Sequence, residues 1–311
     1  MRPPGVRFTI LDTFVKFPTG LRRSATVQLG FTTMNNPEDV PPGELARALE
    51  DRGFDSLWIG EHSHIPASRT TPYPSGGPMP DQYTRMMDPF LSLAAAAAAT
   101  QTLLVATGVA LPLEHDVFAL AKTVATLDHL SGGRVIFGVG VGWNEEELAD
   151  HRPDIPWRLR YRALDEAVAA LRALWTDEEA SFHGRWFDFG RALAFPKPLQ
   201  RPHPPVYCGA AGRLGTAQAI DWADGWAPMD IALGDVAKRV GRFRERVAAA
   251  GRHDLPITVV TFGDPEPDAL RQYRDLGIER AVIGASRSRW DDPSSTYPFL
   301  DAYAALLPEL A

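Results

Sequence analysis

Short apolar runs alternate with segments of helical period eight times between Thr26 and the C-terminal end, and this alternation constrains the fold of the chain more than any other feature. "TVQLGFTT" (26–33), "DSLWIG" (55–60), "LLVATGVAL" (103–111), "RVIFGVG" (134–140), "VYCGA" (206–210), "GWAPM" (225–229), "PITVVTFG" (256–263) and "RAVIGA" (280–285) read as strands. They are short, apolar and rich in β-branched or aromatic residues, as strands covered on both faces are. Helices are predicted at 41–53, 88–100, 116–133, 157–175, 213–223, 235–251, 267–277 and 296–310. Asp88 followed by Pro89 is a helix start, Gly53 a helix stop, and Leu164, Val168, Leu171 and Trp175 recur with a period near 3.6. Eight βα units in series predict a closed (β/α)8 TIM barrel, with a doubly wound open sheet as the alternative topology. The aromatic, turn-rich stretch 182–205 is then an insertion after helix 4. Residues 1–23 fall outside the alternation as an N-terminal arm, which leaves 24–311 as one barrel domain.

Composition narrows the class. With 311 residues the chain is long for an ordinary core but normal for a single barrel. It is 45% apolar and 23% charged, with a net charge of −7 and both signs mixed along the chain. No basic stripe is present, which argues against a nucleic-acid partner. The longest low-polarity run, "FLSLAAAAAA", is too short to span a bilayer, and the start of the chain does not read as a signal peptide. Cys208 is the only cysteine, so no intrachain disulfide forms, which fits a reducing, cytoplasmic compartment.

In a barrel, chemistry sits at the C-terminal ends of the strands. Strand 2 ends at Gly60-Glu61-His62-Ser63-His64, strand 3 around Thr107-Gly108-Val109, strand 4 in "GVGVGWNEEE" and strand 5 in "CGAAGR". His62 and His64 alone make a weak metal pair. The other histidines, at 115, 129, 151, 183, 203 and 253, stand away from predicted strand ends, so no metal site is expected. Glu61 and His62 suit proton handling, the alternative being a structural pair. Glycines 138, 140 and 142 do not make a dinucleotide fingerprint, because Trp143 holds the third place. They suit close approach of a flat ring or a ligand tail, with Trp143 adding an apolar face, and a plain glycine-rich turn is the alternative. Asn144 is placed to cap a helix carrying Glu145 to Glu147 in its first turn. Gly209, Ala210, Ala211 and Gly212 precede a helix starting near Arg213. Backbone N–H groups at such a helix start suit a phosphate, and an ordinary βα loop is the bland alternative. Cys208 reads as a buried small hydrophobe, not a nucleophile. The loop Ile65–Met87, with Tyr73, Met79, Tyr83 and Met86, reads as a substrate wall or lid for an apolar or aromatic compound. The alternative is a solvated surface loop.

With these residues in view, "GFDSLWIGEH", "ATLDHLSGGRVIFGVGVGWNEEEL", "DEAVAALRALW", "FHGRWFDF" and "PKPLQRPHPPVYCGAAG" resemble, in order, the luciferase-like monooxygenase superfamily, and most closely its branch of coenzyme F420-dependent oxidoreductases. The resemblance runs from about residue 26 to about residue 230 and more weakly beyond. It implies a flavin or deazaflavin bound at the strand ends, with its phosphate in the loop 209–213. It implies an active-site role for His62 beside the deazaflavin, with Glu61 as its acidic neighbour. A non-proline cis peptide at Gly108-Val109 would back the ring, and Val141 and Gly142 would touch it. F420 is the implied cofactor and FMN the alternative. The activity implied is hydride transfer between F420 and a small, apolar or aromatic substrate. An FMN-dependent monooxygenase fed by a partner reductase and a non-catalytic flavin-binding protein are the rival readings. The resemblance also makes a homodimer the expectation. Trp143 stands where the sugar-phosphate dehydrogenases of the superfamily carry a glutamate, which argues against that substrate class. Only a helix start rotated inward would let Glu145 or Glu146 take the glutamate's place.

Overall fold

The computed structural model describes residues 26–252, 255–286 and 290–311. The arm proposed at 1–23 and His253 lie outside the described residues. Eight parallel strands form the sheet: β1 (Gln28–Thr33), β2 (Ser56–Ile59), β3 (Leu104–Thr107), β4 (Val135–Val139), β7 (Val206–Cys208), β8 (Gly225–Trp226), β9 (Thr258–Phe262) and β10 (Arg280–Ala285). Their order is β8-β7-β4-β3-β2-β1-β10-β9. Parallel bridges Trp226↔Ile257 and Met229↔Val260 join β8 to β9 and close the barrel. The barrel expected from the alternation is the fold observed. Strands β5 (Ala180–His183) and β6 (Asp188–Ala192) form a separate antiparallel hairpin in the insertion.

The strands alternate faces as a pleated backbone requires. Leu57 and Ile59 of β2 point outward to the helices, while Trp58 between them joins Ala106, Ile136, Tyr207, Ala227 and Val282 inside the barrel. The covering helices are α1 (Pro42–Asp51), α2 (Pro89–Ala99), α3 (Val117–Ser131), α4 (Glu145–His151), α5 (Arg160–Thr176), α6 (Arg213–Asp221), α7 (Val236–Ala249), α8 (Pro267–Asp275), α9 (Thr296–Ala304) and α10 (Leu307–Leu310). Asp88, Asp116 and Asp235 cap α2, α3 and α7 by accepting the N–H three residues on. Among the described residues, no helix is long and apolar enough to cross a membrane.

Three strands end two or more residues before their apolar runs do. The run 103–111 leaves the ladder after Thr107, where the peptide Gly108-Val109 is cis, and Ala110 then bridges to Val139. The run 225–229 contains Pro228, which has no N–H to give, so the regular ladder stops at Trp226, although the Pro228 carbonyl still accepts the Val260 N–H. The run 206–210 stops at Cys208, and Gly209 and Ala210 begin the loop to α6.

Candidate functional site

The cis peptide Gly108-Val109 sits at the centre of the rim. The carbonyl of Val109 accepts the N–H of Glu61 at 3.2 Å. Its side chain fits between Gly140 and Gly209: an added Cβ would lie 2.6 Å from Val109 Cγ2 at the first and 2.5 Å from Cγ1 at the second. Glycine at both positions is what lets the ends of β3, β4 and β7 meet. Glu61, Val109, Gly140 and Gly209 therefore belong to one continuous rim.

Glu61 is buried, and its carboxylate is fully used. Oε2 accepts the Leu111 N–H at 2.7 Å, and Oε1 lies 2.7 Å from His115 Nε2. Burial pulls the His115 imidazole down, but the hydrogen bond and charge of Glu61 outweigh it, so His115 titrates above its ordinary value. This is an ion pair holding the segment after β3 against the end of β2.

His62 is clamped at both nitrogens. Nδ1 lies 2.7 Å from Glu147 Oε2, with 8% of the imidazole and 1% of the carboxylate side chain exposed. Nε2 accepts the indole N–H of Trp143 at 3.0 Å. Because the indole is only a donor, the neutral imidazole carries its proton on Nδ1 and offers a lone pair at Nε2. Tyr83 and Trp143 meet the His62 ring edge to face, and Tyr73 packs on both Tyr83 and Trp143. Tyr83 and Met86 also pack on the cluster of Met34, Ala285 and Trp290. The loop 65–87 thus forms an aromatic wall directly over His62. Glu146 ties that loop down by accepting the N–H and hydroxyl groups of Thr70 and Thr71, and those hydroxyls hold its carboxyl down at about 2.

Three consecutive glutamates sort onto three sides of α4. Glu145 is exposed, Glu146 holds the loop, and Glu147 turns inward. The inward rotation considered for Glu145 or Glu146 is realised one residue later. Asn144 stands at the N-cap of α4 without a side-chain cap bond, and both its amide atoms are buried with no partner. Thr71 Oγ1 instead accepts the Glu145 N–H at 3.4 Å.

Glu114 is the third rim acid with a buried side chain, one of whose oxygens lies 3.7 Å from where a Cβ on Gly142 would stand. Burial, reinforced by the charges of Glu147 and Glu61, pushes its carboxyl up to about 9, so it is protonated at neutral pH. Sequence reasoning missed Glu114, His115 and Glu147.

The remaining predicted residues divide. The Thr107 hydroxyl donates to the Gly138 carbonyl at 2.7 Å and serves the sheet. Val141 is buried, and Gly142 has φ +69°, which only glycine adopts freely. In the loop 209–213 the Gly209 N–H is taken by Val139, the Ala210 carbonyl by Trp226 and the Ala211 carbonyl by Thr216. The N–H groups of Ala211, Gly212 and Arg213 have no partner among the described residues, and no atom lies within 4 Å of where a Cβ on Gly212 would stand. Arg213 is exposed. Cys208 is fully buried, with its thiol pushed up to about 11 by burial, as an inert core residue should be.

The chain is similar to several known proteins. An uncharacterized protein of Mycobacterium tuberculosis is 42% identical over 275 residues, covering 86% of this chain and 94% of that one. An F420-dependent glucose-6-phosphate dehydrogenase of Microbacterium testaceum is 29% identical, covering 86% and 78%. An FMNH2-dependent dimethylsulfone monooxygenase of Pseudomonas putida is 34% identical over a shorter stretch, 53% of this chain and 45% of that one. Among solved structures, an F420-dependent secondary alcohol dehydrogenase in complex with an F420-acetone adduct superposes with a TM-score of 0.69 at 19% identity, covering 92% and 99%. The model of the luciferase-like monooxygenase family matches residues 31–304, and the chain belongs to that family.

Proposed function

We propose that this protein is an F420-dependent oxidoreductase that transfers a hydride between the deazaflavin and a small, apolar or aromatic organic substrate. The observation that carries the proposal is the His62 imidazole, held in one tautomer between Glu147 and Trp143 on the rim that also holds Val109 and the loop 209–213. The rim suits a planar ring with a phosphorylated tail. Gly140 and Gly209 seat Val109 on the rim, and the unpartnered N–H groups of Ala211, Gly212 and Arg213 open the positive end of α6 to an anion. In this reading Arg213 adds charge at the phosphate, and Val109, Val141, Gly142 and Trp143 bear on the ring.

When bound, the deazaflavin supplies a hydride acceptor or donor. The chain's own residues supply position, dryness and one proton. Glu147 fixes the imidazole through Nδ1–H, the arrangement by which a buried carboxylate orients a histidine base. A substrate oxygen arriving at Nε2 displaces the Trp143 N–H and meets the lone pair. His62 then takes the hydroxyl proton in alcohol oxidation or returns it in carbonyl reduction, help worth about 10²–10⁴-fold in rate. Tyr73, Tyr83 and Trp143 exclude water and select for apolar or aromatic bulk. Glu61 holds the site together through His115 and Leu111.

Similarity to an FMNH2-dependent enzyme supports a second reading, in which the chain is a monooxygenase supplied by a reductase partner. Parallel fluorescence titrations with F420 and FMN, followed by turnover on a panel of alcohols, enones, imines and quinones, test the proposal. Tighter F420 binding and oxygen-independent turnover are expected. Tighter FMN binding with oxygen-dependent turnover reverses the order, and no turnover with either leaves only ligand binding.

A further inference from the structure

Hydride transfer beneath an aromatic wall leaves one proton to be exchanged with solvent at every turnover. An alcohol that loses a hydride also loses its hydroxyl proton as its carbonyl forms, and the reverse reaction takes that proton up. His62 and Glu147 are nearly sealed, so neither passes the proton to bulk water directly.

A row of hydrogen-bonding side chains starts at Glu114, near enough to Glu147 to feel its charge. Glu114, with 4% of its side chain exposed, has a buried Oε2 without a hydrogen-bond partner, and that oxygen faces His151 Nε2 at 3.9 Å. His151 Nε2 lies 2.7 Å from Ser63 Oγ. Ser63 Oγ lies 2.9 Å from His64 Nδ1. His64 Nε2 lies 3.1 Å from Asp150 Oδ2, whose side chain is 61% exposed. Side-chain exposure rises along the row, from 4% at Glu114 through 30% at His151 and 39% at His64.

From this geometry we infer that Glu114, His151, Ser63, His64 and Asp150 form a proton relay between the His62–Glu147 pair and solvent. The inference rests on the hydride-transfer reading and assigns the "HSH" of residues 62–64 a division of labour: His62 faces the reaction, while Ser63 and His64 face the exit.

The middle of the row has the chemistry a relay needs. A hydroxyl between two imidazole nitrogens donates to one and accepts from the other. His151 takes a proton at Nε2 and hands that same proton to Ser63 Oγ, while the hydroxyl gives its own proton to His64 Nδ1 and His64 releases its Nε2 proton to Asp150. One proton thus crosses the row with a tautomer change at His64 alone and without any side chain leaving its place. The opening between Glu114 and His151 exceeds a hydrogen bond by about 1 Å, a distance that a small rotation or a single bridging water spans. Both ends are electrostatically suited. Glu114 holds a proton at neutral pH, and burial and the neighbouring His64 push His151 down, so it passes a proton on instead of trapping it. The other charges acting on His151 are those of Glu147, His115 and Glu61, already described.

Ser63→Ala and Ser63→Thr, in the full-length chain, test the relay in two arms. In turnover with F420 and the panel substrate that reacts, Ser63→Ala is expected to lower kcat about tenfold, to raise the solvent deuterium isotope effect and to regain rate on adding free imidazole. Ser63→Thr restores the hydroxyl and should restore kcat. In ring-nitrogen NMR without cofactor, His151 Nε2 and His64 Nδ1 should show hydrogen-bonded shifts toward the Ser63 hydroxyl in the wild type and in Ser63→Thr, and lose them in Ser63→Ala. Wild-type kcat in Ser63→Ala with no response to imidazole overturns the relay. So do wild-type ring-nitrogen shifts that Ser63→Ala leaves unchanged. A wild type inactive with both coenzymes removes the functional reading alone, and the NMR arm still decides whether the relay exists.

Discussion

His62 and Glu147 stand 85 residues apart in the chain and meet at 2.7 Å with both side chains almost closed to water. The end of β2 and the first turn of α4 are thus joined by a buried ionisable contact, and together with the Trp143 indole that contact fixes which nitrogen of His62 carries the proton. In Glu147→Gln the shape survives and the carboxylate charge does not. Turnover should fall by about 10²-fold or more, while F420 binding changes little. Stopped-flow kinetics beside a fluorescence titration separates the two effects. A loss confined to binding would remove the orienting role.

Glu114 makes stability depend on pH in an unusual direction. Its folded carboxyl titrates near 9 and its unfolded one near 4.5, so between these values the folded chain keeps a proton that the unfolded chain releases. Folding is therefore penalised progressively as pH rises through that window, by at most about 1.4 kcal/mol per pH unit for one group. Glu114→Gln needs no such proton. Its stability relative to wild type should climb from pH 5 to pH 8 in chemical denaturation, and parallel curves would contradict the assignment.

The glycines around Val109 should behave as one packing unit. Gly209→Ala places a methyl 2.5 Å from Val109 Cγ1 and should cost about 1–3 kcal/mol. Val109→Ala removes the obstructing methyls, so the double variant should recover much of that loss. Denaturant melts of the two single variants and the double variant give the coupling directly, and simple additivity would show that the contact relaxes elsewhere.

Glu146 ties down the loop over the site. Glu146→Ala should speed hydrogen exchange at the amides of Thr70 and Thr71 and raise KM more than it lowers kcat. In the wild type the carboxyl is held down at about 2, so the stabilisation it gives is complete above its ordinary value and is lost only as pH falls toward 2. Exchange at these amides should thus stay flat from pH 5 to pH 8 once intrinsic rates are divided out.

Local patterns carried the fold and half of the site. β10 follows its apolar run from Arg280 to Ala285 without loss, and α2 begins and ends where its capping signals stand. His62, Gly140 and Gly209 were legible because a residue at a strand end needs no further information to face the rim. Glu147 was not, because three successive glutamates point 100° apart on a helix and the first residue of α4 decides which one faces inward. Glu114 and His115 were hidden for another reason: the chain leaves the ladder at Gly108 and returns at Ala110, which carries the next residues back over the barrel mouth. The β5–β6 hairpin was missed because its strands are largely exposed and lack a clean alternation.

The two isolated bridges that join β8 to β9 leave the barrel with a seam. His62 follows the end of β2, across the cylinder from that seam, while the loop 209–213 hangs one strand away from it. An anion gripped by that loop would therefore bear on the stave beside the seam.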